Sequence, residues 1–138
     1  MKNWLLSLLA ICCGASAEIQ HVVVFKYKPT VTQQQKQEVM NRFLALKDKS
    51  KKNGKSYIVS LIGGDCTKSQ EGLTRGFEHT FIITFKNQDD FNYYLGESFA
   101  RPFDRVHDDF KKFVGPFLSV DEKGKINGAM VFDFETTY

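Results

Sequence analysis

The 138-residue chain has three histidines, and two of them stand in matching surroundings. His21 opens the run His21-Val22-Val23-Val24-Phe25-Lys26-Tyr27, and His79 opens His79-Thr80-Phe81-Ile82-Ile83-Thr84-Phe85. An imidazole exchanges a proton near neutral pH, so two of them at the heads of two strands could act as base and acid. Tyr94, in Tyr93-Tyr94-Leu95, could donate a hydrogen bond to a developing oxyanion. These residues define the candidate site. His21, His79 and Tyr94 are the candidates for proton transfer. The same three, with Phe25 and Phe81 as apolar walls, are the candidates for holding a small apolar ligand.

Other chemistries find less support. His21, His79 and Glu78 lack the spacing of metal ligands, and Glu78 should face away from His79, so no metal or cofactor is expected. The third histidine, His107, lies in Arg105-Val106-His107-Asp108-Asp109 and reads as an exposed helical residue unpaired with the other two. The 13 Phe fall at strand and helix periods with no basic face between them. They read as core and not as a stacking platform for nucleic acid. The net charge of +3 is too small for an electrostatic grip on nucleic acid.

The elements that must position the site follow a leader. Lys2 is a short positive start, Trp4 to Cys13 is apolar apart from Ser7, and Ala15-Ser16-Ala17 is a cleavage signal. Residues 1–17 therefore read as a secretory signal peptide and 18–138 as one domain, secreted or periplasmic. The apolar stretch falls well short of the roughly 20 residues of a spanning helix, so no membrane partner is expected. Ile11 before Cys12 argues against a lipoprotein signal. Cys66 is then the sole cysteine, which rules out an intrachain disulfide despite the expected export. It reads as an inert, partly buried thiol.

Periodicity predicts a strand over Ile19 to Tyr27. A helix capped by Thr32 and Gln35 follows to about Lys49, with Val39, Met40, Phe43, Leu44 and Leu46 on its buried stripe. Further strands are expected at Tyr57 to Ile62, stopped by Gly63-Gly64, at Phe77 to Phe85, and at Ala129 to Phe134. Helices are expected at Gln88 to Leu95 and Phe99 to Phe113. The order β-α-β-β-α(α)-β is the split βαβ, ferredoxin-like pattern of an α+β domain. The first and third strands are expected to be adjacent and parallel, which would set His21 and His79 side by side at one end and on one face. The second helix, running back from the third strand by roughly 9 Å at 1.5 Å per residue, would bring Tyr94 toward them. Helices can cover only one face of a four-stranded antiparallel or mixed sheet. The other face carries Val22, Val24, Thr80, Ile82 and Thr84, and an apolar face of that kind calls for a second copy of the chain.

The separated stretches His21-Val-Val-Val-Phe-Lys-Tyr-Lys28, Glu71-Gly-Leu-Thr-Arg-Gly-Phe-Glu-His79-Thr-Phe81, Thr84-Phe85-Lys86 and Tyr93-Tyr94-Leu95 together resemble the stress-response A/B barrel (Dabb) family. The resemblance implies a dimeric α+β barrel. The family includes plant stress-responsive proteins and a polyketide cyclase that works by aldol condensation. By that resemblance His21 and His79 match pocket histidines and Tyr94 a pocket tyrosine. The cyclase's His-Pro-x-His segment has no counterpart. Leu95-Gly96-Glu97-Ser98-Phe99-Ala100 stands there, with Ala100 in the place of the catalytic histidine. Alanine takes no proton, so that mechanism does not transfer. Three readings stay open: a homodimer with a small apolar ligand pocket and no assigned activity, a cyclase-like acid–base enzyme, and a structural dimer module.

Overall fold

The computed structural model describes residues 17–137. The expected secretory leader, apart from Ala17, lies outside the described residues. The elements are β1 (Ile19–Phe25), α1 (Gln33–Lys49), β2 (Ile58–Asp65), β3 (His79–Phe85), α2 (Gln88–Leu95), α3 (Arg105–Val114) and β4 (Ala129–Glu135), with a short 3-10 turn at Gly115–Phe117. They build one four-stranded sheet in the order β2-β3-β1-β4, antiparallel at every pairing, with the helices packed on one face. This is the ferredoxin-like α+β architecture.

The expected parallel pairing of β1 with β3 is overturned. The crossover through α1 returns the chain so that β2 runs the same way as β1. The connection from β2 to β3 then reverses it, and β3 runs against β1. The register is Phe25 opposite His79 and His21 opposite Ile83. His21 and His79 therefore share the helix-facing side of the sheet but lie at its opposite ends.

The first helix forms where the sequence calls for it. Gln35 N–H donates to Thr32 Oγ1 at 3.2 Å, and Thr32 N–H donates to Gln35 Oε1 at 2.8 Å, a closed capping box. Lys47 and Lys49 stand in the last turn, where the helix dipole favours cations. Val39, Phe43 and Leu46 are buried against the sheet. Phe43 stacks on Phe81 with ring centroids 3.9 Å apart, at the centre of the core.

Two boundaries move for physical reasons. Gly63 and Gly64 lie inside β2, opposite Phe81 and Thr80, and do not stop the strand. A Cβ on Gly63 would sit 2.4 Å from Phe81 Cδ1, so the glycine makes room for the ring that stacks on Phe43. The helix expected from Phe99 starts at Arg105. Asp104 caps it by accepting from the N–H groups of Val106 at 2.9 Å and His107 at 3.1 Å. That start turns His107, Phe110 and Val114 inward and leaves Phe99 and Val106 exposed. The expected Phe99, Phe103, Val106, Phe110 and Phe113 stripe is therefore replaced by one containing an imidazole.

The outer face of the sheet is apolar and uncovered. Val22 pairs with Ile82 on one side and Phe132 on the other, and Ile82 pairs with Ile62, forming a row across all four strands. Ile62, Phe132 and Phe134 are 62%, 56% and 53% exposed.

Candidate functional site

A cavity of about 440 Å³ lies between the helix-facing side of β1 and β4 and the helices α2 and α3. Its apolar wall includes Phe25, Phe43, Phe110, Val23 and Leu118. The residues lining it that carry a polar side-chain group are few: His21, Asp133, Tyr94, His107 and Lys111. A mostly apolar hollow with a few converging polar groups is the usual form of a small-molecule site.

β1 and β4 place the first pair. His21 and Asp133 are direct cross-strand partners, and His21 Nδ1 lies 2.5 Å from Asp133 Oδ1. A carboxylate oxygen accepts, so Nδ1 carries the proton and Nε2 keeps a lone pair. His21 is buried, while the Asp133 side chain is 43% exposed. Burial pulls the His21 imidazole below its ordinary range, against the hydrogen bond and charge of Asp133, which pull it up. The result is a neutral, oriented base near pH 7.

α3 places the second imidazole. His107 is buried and stacks on the Tyr94 ring, with centroids 3.7 Å apart and planes 12° from parallel. His107 Nδ1–H donates to the Tyr94 backbone carbonyl at 2.6 Å. Burial lowers its pKa to about 4, with the nearby Lys111 and His21 adding to the shift. The expectation that His107 is exposed is therefore wrong. His107 and Asp133 are the two site residues that sequence reasoning missed. The signals were Asp104 as a cap, which fixes the helical phase of His107, and the alternation of β4, which puts Asp133 on the same face as Val131 and Ala129.

Tyr94 joins the two histidines. Its ring also meets His21 edge-on at 5.6 Å. Its hydroxyl is enclosed and has no hydrogen-bond partner, and burial raises its pKa. Below the hydroxyl's titration it is a donor without an acceptor.

His79 and Phe81 lie elsewhere. His79 Nδ1 shares a 2.7 Å hydrogen bond with the Tyr27 hydroxyl at the far end of the sheet. Burial lowers its pKa, opposed by Asp65 and Glu78. Phe81 is fully buried under Phe43. Of the five residues expected at the site, His21, Phe25 and Tyr94 come together at the cavity and His79 and Phe81 do not. Glu97 pairs with Arg101 in solvent at 2.7 Å, and Ala100 lines a separate pocket. Among the described residues no group of three His, Cys, Asp or Glu side chains is gathered as a metal would need.

A four-stranded antiparallel sheet with helices on one face defines an α+β protein of the ferredoxin-like kind. The chain belongs to the stress responsive A/B barrel domain family (Dabb), whose profile matches residues 19–136. Solved structures agree in fold. The chain is similar to a hydroxynitrile lyase from Passiflora edulis, at 17% identity and a TM-score of 0.64, covering 88% of this chain and 95% of that one. It is similar to a protein from Arabidopsis thaliana, at 21% identity and a TM-score of 0.61, covering 87% and 96%. It is also similar to a dimeric ferredoxin-like protein of unknown function from Bacteroides fragilis, at 22% identity and a TM-score of 0.57, covering 86% and 96%. No curated protein matches the chain.

Proposed function

We propose that the chain is an exported homodimeric enzyme that removes a proton from a small, mostly apolar molecule held in the cavity, with His21 as the base. The observation that carries this reading is the 2.5 Å contact of His21 Nδ1 with Asp133 on the wall of an apolar cavity. A structural role alone does not require a neutral imidazole with one nitrogen tied to a carboxylate and the other left with its lone pair. The likeness to a hydroxynitrile lyase is consistent with such chemistry on this fold, since cleaving a hydroxynitrile begins with loss of a hydroxyl proton. The dimer is supported by the exposed row Ile62, Ile82, Val22, Phe132 and by relatives described as dimeric. Export is supported by the leader pattern of residues 1–17.

The test is class-neutral. Deuterium exchange next to the carbonyl of phenylacetone, and cleavage of mandelonitrile, are each followed with the wild-type chain and with His21→Asn. The expected result is acceleration of at least one reaction by the wild type and its loss in the variant. Equal rates with both proteins would overturn His21 as the base. Direct binding of an apolar aromatic probe tests the cavity separately.

A further inference from the structure

The two imidazoles on the cavity wall are tied in the same sense. His21 Nδ1 gives its proton to Asp133, and His107 Nδ1 gives its proton to the Tyr94 carbonyl. Neither acceptor can donate to an imidazole nitrogen in return, so in each neutral ring Nε2 is left with a lone pair and no proton. Among the described residues the hydrogen bonds of both imidazoles are made through Nδ1, and none is made through Nε2. Among the described residues the enclosed side-chain polar atoms without a partner are Ser50 Oγ and the Tyr94 hydroxyl. The rings of both His21 and His107 line the same cavity. Both rings also touch one ring, that of Tyr94, with centroids 5.6 Å from it for His21 and 3.7 Å for His107.

We infer that the cavity selects its ligand by hydrogen-bond donors, taking an apolar molecule with two hydroxyl groups, one donating to Nε2 of His21 and one to Nε2 of His107. This rests on the proposed ligand-binding reading of the cavity and gives it a substrate class. A ligand offering only ether or carbonyl oxygens would set lone pairs against lone pairs in a dry wall, and the cost of such unmet groups is what gives polar pockets their discrimination. His107 is thereby a specificity residue, and His21 is the acceptor that also removes the proton. Lys111 also lines the cavity, its Nζ donating to Leu95 O at 3.0 Å, and its charge disfavours a proton on His107.

The probes are naphthalene, 2-naphthol, and the 1,3- and 2,7-dihydroxynaphthalenes with their dimethyl ethers, titrated against the wild-type chain by calorimetry. The expected result is that the better diol binds roughly tenfold or more tightly than its ether, with 2-naphthol between them. His107→Phe keeps the flat stack on Tyr94 and should remove the advantage of the diol over 2-naphthol while leaving 2-naphthol bound. Diols and ethers binding alike would overturn donor selection and leave the cavity reading intact. Failure of every probe, naphthalene included, would overturn the cavity reading and donor selection with it. A second measurement needs no variant: nitrogen NMR of the wild-type imidazoles should find Nε2 unprotonated in both His21 and His107 at neutral pH. A proton on either Nε2 would overturn the inference.

Discussion

His107 lies flat on the ring of Tyr94 and donates to the carbonyl of that same residue, so one tyrosine both stacks and anchors the imidazole. The arrangement favours the neutral ring, since burial brings the pKa from 6.5 to about 4. A histidine depressed in the folded state stabilises the fold fully above its unfolded value. That stability is lost as pH falls from 6.5 through about 4. At 1.36 kcal/mol per unit the loss amounts to about 3 kcal/mol. Urea unfolding at pH 7 and pH 4 should show it, and His107→Phe should unfold with a shallower pH dependence. His21 and His79 shift in the same direction, so the difference between the two proteins isolates His107. An unchanged slope in the variant would show that His107 is not held neutral.

Asp133 should matter to His21 in two ways, through charge and through tautomer. Asp133→Asn keeps the shape, removes the charge and allows an amide N–H to face Nδ1, which would move the ring proton to Nε2. A drop of roughly 100-fold or more in any His21-dependent rate is expected, with little change in stability because Asp133 is half exposed. The rate against pH reads the effect: its basic plateau should persist at wild-type height if Asp133 is a bystander.

Asp104 is the joint between α3 and the second strand. It caps the helix through Val106 and His107 and accepts a hydrogen bond from the buried Tyr57 hydroxyl. Burial, and then Asp104, hold that phenol well above its ordinary pKa. Asp104→Ala removes a cap and strands a buried donor, together a loss of about 3 kcal/mol. Tyr57→Phe should cost about 2 kcal/mol, because Oδ1 keeps its two backbone donors while the buried Oδ2 loses its donor. Equal melting temperatures for the two variants would refute this division.

The outer sheet face makes a prediction about assembly. Phe132→Glu should convert a dimer to a monomer by light scattering at micromolar concentration. Ile126→Glu, at the cavity on the opposite side, should not. If both variants keep the mass of the wild type, the interface lies elsewhere.

Much of this was legible in the sequence. Thr32 and Gln35 announced α1, period-2 runs announced the strands, and scattered matches pointed to the family. The shared face of His21 and His79 was legible too, because alternation is local. Their separation was not, because strand direction depends on how α1 returns the chain, and a run of valines is the same in either sense. Gly63 read as a stop because its reason, the Phe81 ring, comes from another strand. His107 was hidden by helical phase: five apolar residues at near-helical spacing outweighed a single cap at Asp104, yet the cap decided which side turned in. Asp133 pairs with His21 across 112 residues, a relation that no local pattern encodes.

β4 is an edge strand, paired only with β1, and its successive residues serve different faces. Asp133 leans toward His21, while Phe132 and Phe134 on either side point to the outer face. In the proposed dimer, whatever covers those two phenylalanines also damps fraying of the strand that carries the carboxylate. Association and imidazole orientation then become linked equilibria. Dilution that separates the subunits would loosen β4, and the catalytic competence of His21 would follow mass action although no residue of the partner touches it.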